Sequence, residues 1–347
     1  MSIKNWISES FPVDNEALSH ASSEPIPNHM KKWWWALGGT PFYMFVVQVI
    51  TGLLLAFYYV PNPDVAYESV SKITNEVSYG WLIRSIHKWS ANIMMAAVIL
   101  HMMRVFFTQA YRKPREINWM IGVIIFLLTL ILGFTGYSLI YEQMSYWAMK
   151  VGTEIAAATP FVGNWIANFM RGGEDIGQAT LSRMHILHVL ILPMIMVILL
   201  FIHVYLIRTL GVTDLRFKNE EKAEKKTFPF WPNHVMTELV MIALIMFVLV
   251  ALSLIWPAHM GAKADPTTTP MHIKPEWYFY PVYRWLKLSN LTLGVIVPMV
   301  CVGILFFWPF IDRFFEKIFP KKEIGFWIGV LGALLLSVLL FWETIAH

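Results

Sequence analysis

The sequence predicts an all-α polytopic membrane protein: a four-helix bundle followed by three further spans. Three observations carry this. The chain is 57% hydrophobic and only 14% charged, with a mean hydropathy of +0.54, far beyond a soluble domain. Several of its apolar runs reach about 20 residues, the length that takes a helix across a bilayer. The ionisable residues inside those runs are few and spaced in a pattern, and such residues are too costly in a membrane to be idle.

The seven spans are read, in order, at 34–60, 81–108, 118–138, 180–208, 234–256, 292–311 and 325–345. Residues 1–33 mix polar side chains with Trp6, Ile7, Phe11 and Leu18 and lack the apolar core and cleavage site of a secretory signal. They are expected to lie on the membrane surface. Counting Arg208 at the end of the fourth span, 16 Lys and Arg fall on the side of the N-terminus and 7 on the other. The positive-inside rule therefore places the N-terminus in the cytoplasm. The polar stretch 211–233, with KNEEKAEKK, separates a bundle at 34–210 from a three-span region at 234–347. Two long loops, 139–179 and 257–290, fall on the outer side, and loops of that length usually carry function. The single cysteine, Cys301, sits in an apolar run and excludes a disulfide within the chain. A net charge of +4 dispersed over loops gives no support to nucleic-acid binding.

The second span contains RSIHKWSANIMMAAVILHMMR, with His87 and His101 14 residues apart. That interval is roughly 21 Å along a helix and returns to nearly the same face. The fourth span carries His188 and His203, 15 residues apart, or roughly 22 Å. Both spans run from outside to inside. His87 therefore levels with His188 near the outer surface, and His101 with His203 near the inner one. Two facing pairs stacked across a bilayer suit two haems, each ligated by two histidines. His185 competes with His188, but its 18-residue distance from His203 mismatches the second span by about 6 Å. Arg84 lies one turn outward of His87 and Arg104 one turn inward of His101, where each would meet a haem propionate. The plainer reading makes them snorkelling anchors at the span ends.

A flat macrocycle between helices needs backbone free of side chains. The first span offers Gly38 and Gly52, and the third Gly122 and Gly136, each pair again 14 residues apart. Glycine is common in membrane helices for packing alone, but here two pairs repeat the histidine interval.

At this point the stretches TGLLLAFYYVP, YGWLIRSIHKWSA, KPREINWMIGV, GYSL, ATLSRMHILHVLILP, LIRTLG and HIKPEWYF make the resemblance plain. The chain resembles cytochrome b of quinol-oxidising bc complexes, and most resembles cytochrome b6 fused to subunit IV. The resemblance implies a quinol:electron-acceptor oxidoreductase with two b haems, and a quinol cycle contributing to proton translocation. It implies an outer quinol site, an inner quinone site, a Rieske iron–sulfur partner and a c-type cytochrome subunit. It further implies a homodimeric complex in the lipid bilayer of a prokaryotic plasma membrane, acting on cytochrome c or a plastocyanin-type acceptor. Glu276, in the outer loop, is implied as acceptor of a quinol proton, chemistry that a partly apolar pocket favours for a carboxylate. Pro275 restricts Lys274 to extended backbone. Tyr278 and Tyr283 match aromatic positions of the quinol pocket. Trp147 and Met149 would line its other wall, and Arg208 would stand beside the inner haem and quinone. Asp214, Arg216 and Lys218 are possible proton-path residues that no spacing selects.

The sequence also departs from this family. Cytochrome b6 carries a cysteine for a covalent c-type haem where this chain has Ala36, so no thioether is expected there; a non-covalent extra haem stays open. The family's GYSLPW reads GYSLIY, which should alter the rim of the quinol pocket. Two rivals were weighed: the di-haem anchor of a respiratory dehydrogenase, and a transporter relaying protons through buried histidines. The PEWY motif and the second half of the chain speak against the first. The absence of b haems would favour the second.

Overall fold

The computed structural model describes residues 25–27, 30, 38–211, 213, 227–320 and 322–346. Ala36, Asp214, Arg216 and Lys218, and most of the expected 1–33 surface segment, lie outside these residues. The chain before the first span pairs with the end of the 211–233 linker as two short antiparallel strands, β1 (Pro25–Pro27) and β2 (Thr227–Pro229), with Ile26 opposite Phe228.

The rest is helical. In order the helices are α1 (Gly39–Ala56), α2 (Ala66–Asn75), α3 (Gly80–Phe107), α4 (Glu116–Ser138), α5 (Gln143–Ala157) and α6 (Gly163–Arg171). There follow α7 (Gln178–Leu210), interrupted by one π-turn, and α8 (Val235–Ile255). Next come α9 (Tyr280–Leu288), α10 (Leu291–Phe306), α11 (Trp308–Ile318) and α12 (Ile324–Ile345). Among the described residues six helices are long and apolar enough to cross a membrane, and α10 with α11 forms a seventh, broken span.

That break corrects one expectation. The sixth span was read as unbroken over 292–311, but α10 stops at Phe306 and the chain bends by 72° into α11. Pro309 explains it. Proline has no N–H to give the carbonyl four residues back, and its ring crowds that carbonyl. The carbonyl is Leu305 O, and the Trp119 indole of α4 supplies the donor instead, at 2.7 Å. Beyond the bend, buried Asp312 is held by Arg112 at 2.9 Å. Phe310, Phe314 and Ile318, spaced four apart, remain exposed along one side of α11. Spacing four keeps them near one helix face.

The bundle of α1, α3, α4 and α7 closes on Met44, Phe45, Met94, Val98, Ile125, Leu128, Leu192 and Met196, with Leu249 of α8 packed against them. Phe45 lies midway between Gly38 and Gly52, and Met94 midway between His87 and His101. The apolar plug thus separates the two histidine levels, and methionine's unbranched thioether suits the irregular space there.

The outer loops are tied together. Gln143 N donates to Ala262 O at 2.8 Å and Gln143 Nε2 to Thr268 O at 2.6 Å. Gly261 N donates to Glu142 Oε2 at 2.6 Å, and the Tyr67 hydroxyl of α2 to Gly261 O at 2.8 Å. The sequence reading left α2 inside a loop. Its burial of Ala66, Ser69, Val70 and Ile73 on one face makes it part of the outer cap.

Candidate functional site

The four candidate ligands meet in two levels. At the outer level the His87 and His188 rings stand 6.3 Å apart between centroids, nearly perpendicular at 79°. Two imidazoles each about 2 Å from a shared metal, with the ring centre a little over 1 Å behind each nitrogen, give roughly that separation. The tautomers also suit ligation. Thr51 Oγ1 donates to Val47 O at 2.6 Å and so accepts from His87 Nδ1 at 2.8 Å. Thr135 Oγ1 donates to Ile131 O at 2.9 Å and accepts from His188 Nδ1 at 3.1 Å. With each proton on Nδ1, each Nε2 keeps its lone pair for a metal. Among the described residues no group of three His, Cys, Asp or Glu could hold a metal ion. Pairs of imidazoles, with a macrocycle supplying the remaining donors, are what these residues fit.

Residue spacing alone put the ligands 15 apart on one helix and 14 on the other. The π-turn Leu187–Ile191 accounts for the difference, with Leu192 N–H bonding Leu187 O five residues back. A π-turn inserts one residue without a full step of rise. Fifteen residues of α7 therefore climb about as far as fourteen of α3. Pro193, which cannot donate, follows at once and suits the widened turn.

The glycines face the histidines one to one. A Cβ on Gly52 would stand 3.2 Å from His87 Cε1, on Gly136 2.5 Å from His188 Cε1, on Gly38 3.5 Å from His101 Cε1, and on Gly122 3.5 Å from His203 Cε1. The sequence reading assigned this room to the macrocycle. In the structure each glycine lies against the candidate ligand ring of a neighbouring helix. Gly136→Ala is therefore expected to push His188 aside and reduce or shift one b haem, while Gly122→Ala, at ordinary contact distance, retains both. Reduced-minus-oxidised optical spectra of the two purified variants check this.

The arginines differ from expectation. Arg84 is buried and gives Nη1 to Ala258 O at 2.6 Å and Thr74 Oγ1 at 3.2 Å, and Nη2 to His259 O at 3.0 Å. Arg84 thus ties α3 to α2 and to the outer loop, and it stands among the residues that line the cavity. Arg104 Nη2 lies 3.2 Å from His101 Nδ1. His203 Nδ1 is buried without a hydrogen-bond partner among the described residues.

A cavity of about 410 Å³ runs from Gln48 past His87 and His188 to Glu276 and Tyr278. Burial pushes the Glu276 carboxyl above the ordinary carboxylate range; Lys88 draws it back and Glu142 raises it further. Burial also raises the Tyr278 phenol, with Glu276 adding to the effect. Tyr278 rests on Gly133 of α4, whose added Cβ would lie 2.6 Å from its hydroxyl. Trp277 Nε1 donates to Asn92 Oδ1 at 2.7 Å, fastening the same segment to α3.

Other expected pocket residues lie elsewhere. Tyr283 does not line the cavity; its hydroxyl donates to Ile273 O. Pro275 is likewise off the lining. Trp147 and Met149 pack with Tyr141, Tyr146, Leu181 and Met184 in a cluster under the outer loops, and Lys150 sits over the Trp147 ring at 5.0 Å. They support the wall from behind. The GYSLIY departure does reach the cavity through Ile140, while Tyr141 turns into that cluster.

Several residues were missed. Thr51 and Thr135 each precede an outer glycine, and that repeated Thr-Gly was the available signal. Glu142, just beyond GYSLIY, lies in the cavity lining. At the inner end, Tyr43 donates to Glu238 Oε2 at 3.4 Å, His234 Nε2 is 3.8 Å from Glu238 Oε1, and Arg208 lies 4.8 Å over the Phe230 ring. His234 and Glu238, which no motif in the sequence singles out, join Arg208 and Arg104 around the His101 level.

Comparison with known proteins agrees with this architecture. Residues 21–211 match the family described as cytochrome b/b6/petB, and residues 263–344 the family described as cytochrome b (C-terminal)/b6/petD. The cytochrome bc complex cytochrome b subunit of Chlorobaculum thiosulfatiphilum is 35% identical over 97% of this chain and 79% of its own. Cytochrome b6 of Heliomicrobium gestii is 44% identical over 60% of this chain and 98% of its own. A structure titled "Hyperthermophilic respiratory Complex III" superposes with a TM-score of 0.81 at 26% identity, covering 98% of this chain and 97% of that one. Fold and family matches together define an integral-membrane cytochrome of the electron-transport class. The chain belongs to the cytochrome b/b6 family, as a b6-like part joined to a subunit IV-like part, and is a cytochrome b subunit of the bc/b6f type.

Proposed function

We propose that this chain oxidises a membrane quinol at the outer cavity and passes one electron to a Rieske iron–sulfur partner and the other inward. The observation that carries this is the outer level itself: two imidazoles at 6.3 Å with their Nδ1 protons engaged, opening into the cavity that holds Glu276. His87 with His188, and His101 with His203, ligate the two b haems; Arg84 and Arg104 steady the propionates. When bound, the haems supply a one-electron path from the outer to the inner level.

The chain's own residues do the rest. Glu276 accepts a proton as quinol loses its two electrons, and Tyr278 orients the substrate against Gly133. Pro275 keeps the approach to Glu276 extended. At the inner end Arg208 holds a quinone, and His234 and Glu238 bring it protons. Proton release outside and uptake inside make the cycle translocating. The setting is a homodimeric complex with a c-type cytochrome subunit, in a prokaryotic plasma membrane with the N-terminus in the cytoplasm, delivering electrons to cytochrome c or a plastocyanin-type acceptor.

The test is purification of the complex from native membranes and a redox titration. Two b components, both reduced by quinol and blocked by outer-site inhibitors, are expected. A single b component, or none, would overturn the reading.

A further inference from the structure

Glu343 is fully buried near the end of the membrane-crossing helix α12. A carboxylate there is costly unless paired, and its partners all belong to the segment that carries Glu276. Lys287 Nζ donates to Glu343 Oε1 at 2.7 Å, and Arg284 Nη1 lies 3.5 Å from Oε2. Both cations are on α9, and Arg284 also covers the Trp342 ring at 4.0 Å. The same stretch of α12 takes a third cation through its backbone: Lys274 Nζ reaches Glu343 O at 3.3 Å and donates to Ala346 O.

Lys274 directly precedes Pro275 and Glu276, and α9 begins two residues after Tyr278. The last turns of α12 therefore grip the PEWY segment from both ends. None of Glu343, Arg284, Lys287 or Lys274 lines the cavity, so their effect on it passes through the 274–287 segment. That segment is also anchored by Trp277 on Asn92, Tyr278 on Gly133, the Tyr283 hydroxyl on Ile273 O and Trp285 on Leu293 O. Without the carboxylate, Arg284, with a side chain 15% exposed, keeps its charge in a largely dry place with no acid opposite it. Hydrating it requires α9 to move, and Glu276 moves with α9.

We propose that Glu343 is a positioning residue for the outer-site reaction: its carboxylate clamps α9, and the α12 turn that bears it clamps Lys274. Together they set where Glu276 and Tyr278 stand in the cavity. This rests on the quinol-oxidation reading above.

The experiment is Glu343→Gln and Glu343→Asp in the complete complex, assayed with a water-soluble quinol analogue. For Glu343→Gln, kcat/KM should fall by roughly tenfold to a hundredfold, the scale of a small misplacement of reacting groups. KM should rise and the acid limb of the pH profile should move, while both b haems keep their content and potentials. Glu343→Asp, which retains the charge, should recover part of the loss. A Glu343→Gln complex with unaltered kcat, KM and pH profile would overturn the proposal. So would activity lost only in proportion to haem, with KM and pH profile unchanged, because that marks a merely structural residue. Failure of the unsubstituted complex to oxidise quinol would instead strike the functional reading on which the proposal rests.

Discussion

Replacing His188 with leucine should remove one b haem from the purified protein and leave the other. In the structure His188 contributes a single side chain to the outer level, where its ring faces His87 at 6.3 Å. Leucine has no lone pair to offer, and Thr135, which steers the ring through Nδ1 at 3.1 Å, cannot replace the ligand. The inner level is roughly 20 Å further along the helices, beyond the plug of Phe45, Met94 and Met196, so its pair stays assembled. A redox titration followed in the visible spectrum reads the result: one b component remains where the parent has two. His203→Leu should give the complementary loss. Retention of both components in either variant would refute the pairing.

Glu276→Gln should slow quinol oxidation by roughly a hundredfold, within the range that a positioned proton acceptor contributes, with both haems retained. The pH profile carries the sign. A proton acceptor must begin ionised. Burial raises the Glu276 carboxyl, so its ionised fraction, and the rate, decline on acidification at a higher pH than for a solvated glutamate. Several charged or titratable groups bear on it: Lys88 lowers it, Glu142 raises it, and the phenols of Tyr137, Tyr278 and Tyr280 stand within its electrostatic reach. Glu142→Gln should therefore move the acid limb to lower pH, and Glu276→Gln should abolish that limb. A Glu276→Gln enzyme that keeps both its rate and its acid limb would place the proton elsewhere.

Much of this was legible along the chain because the bilayer interior penalises ionisable side chains so heavily. Histidines recurring at matched intervals in two apolar spans stand out, and helix geometry converts their spacing into approximate height. The spans at α3, α4 and α12 come within two residues of their expected limits for the same reason: apolar length is a property of local sequence. The sixth span failed because a proline's effect depends on who satisfies the carbonyl it abandons. Trp119, nearly two hundred residues away, does so for Leu305.

Composition and apolar periodicity thus determined the membrane-spanning helical class, the motif stretches carried the family resemblance, and the histidine spacing gave the expectation of two levels across the membrane. The class and the levels follow from one-dimensional spacing under a strong solvent penalty. The tertiary structure alone decided the finer matters. It showed that a π-turn absorbs the extra residue of α7, that Thr51 and Thr135 set the imidazole tautomers, and that the glycines clear ligand rings. It turned Arg84 onto the outer loop, moved Tyr283, Trp147 and Met149 off the cavity, and placed Glu343 of the last span behind the PEWY segment. Each of these depends on which distant atom answers a hydrogen-bond donor or fills a space, and contacts of that kind leave no period in the sequence.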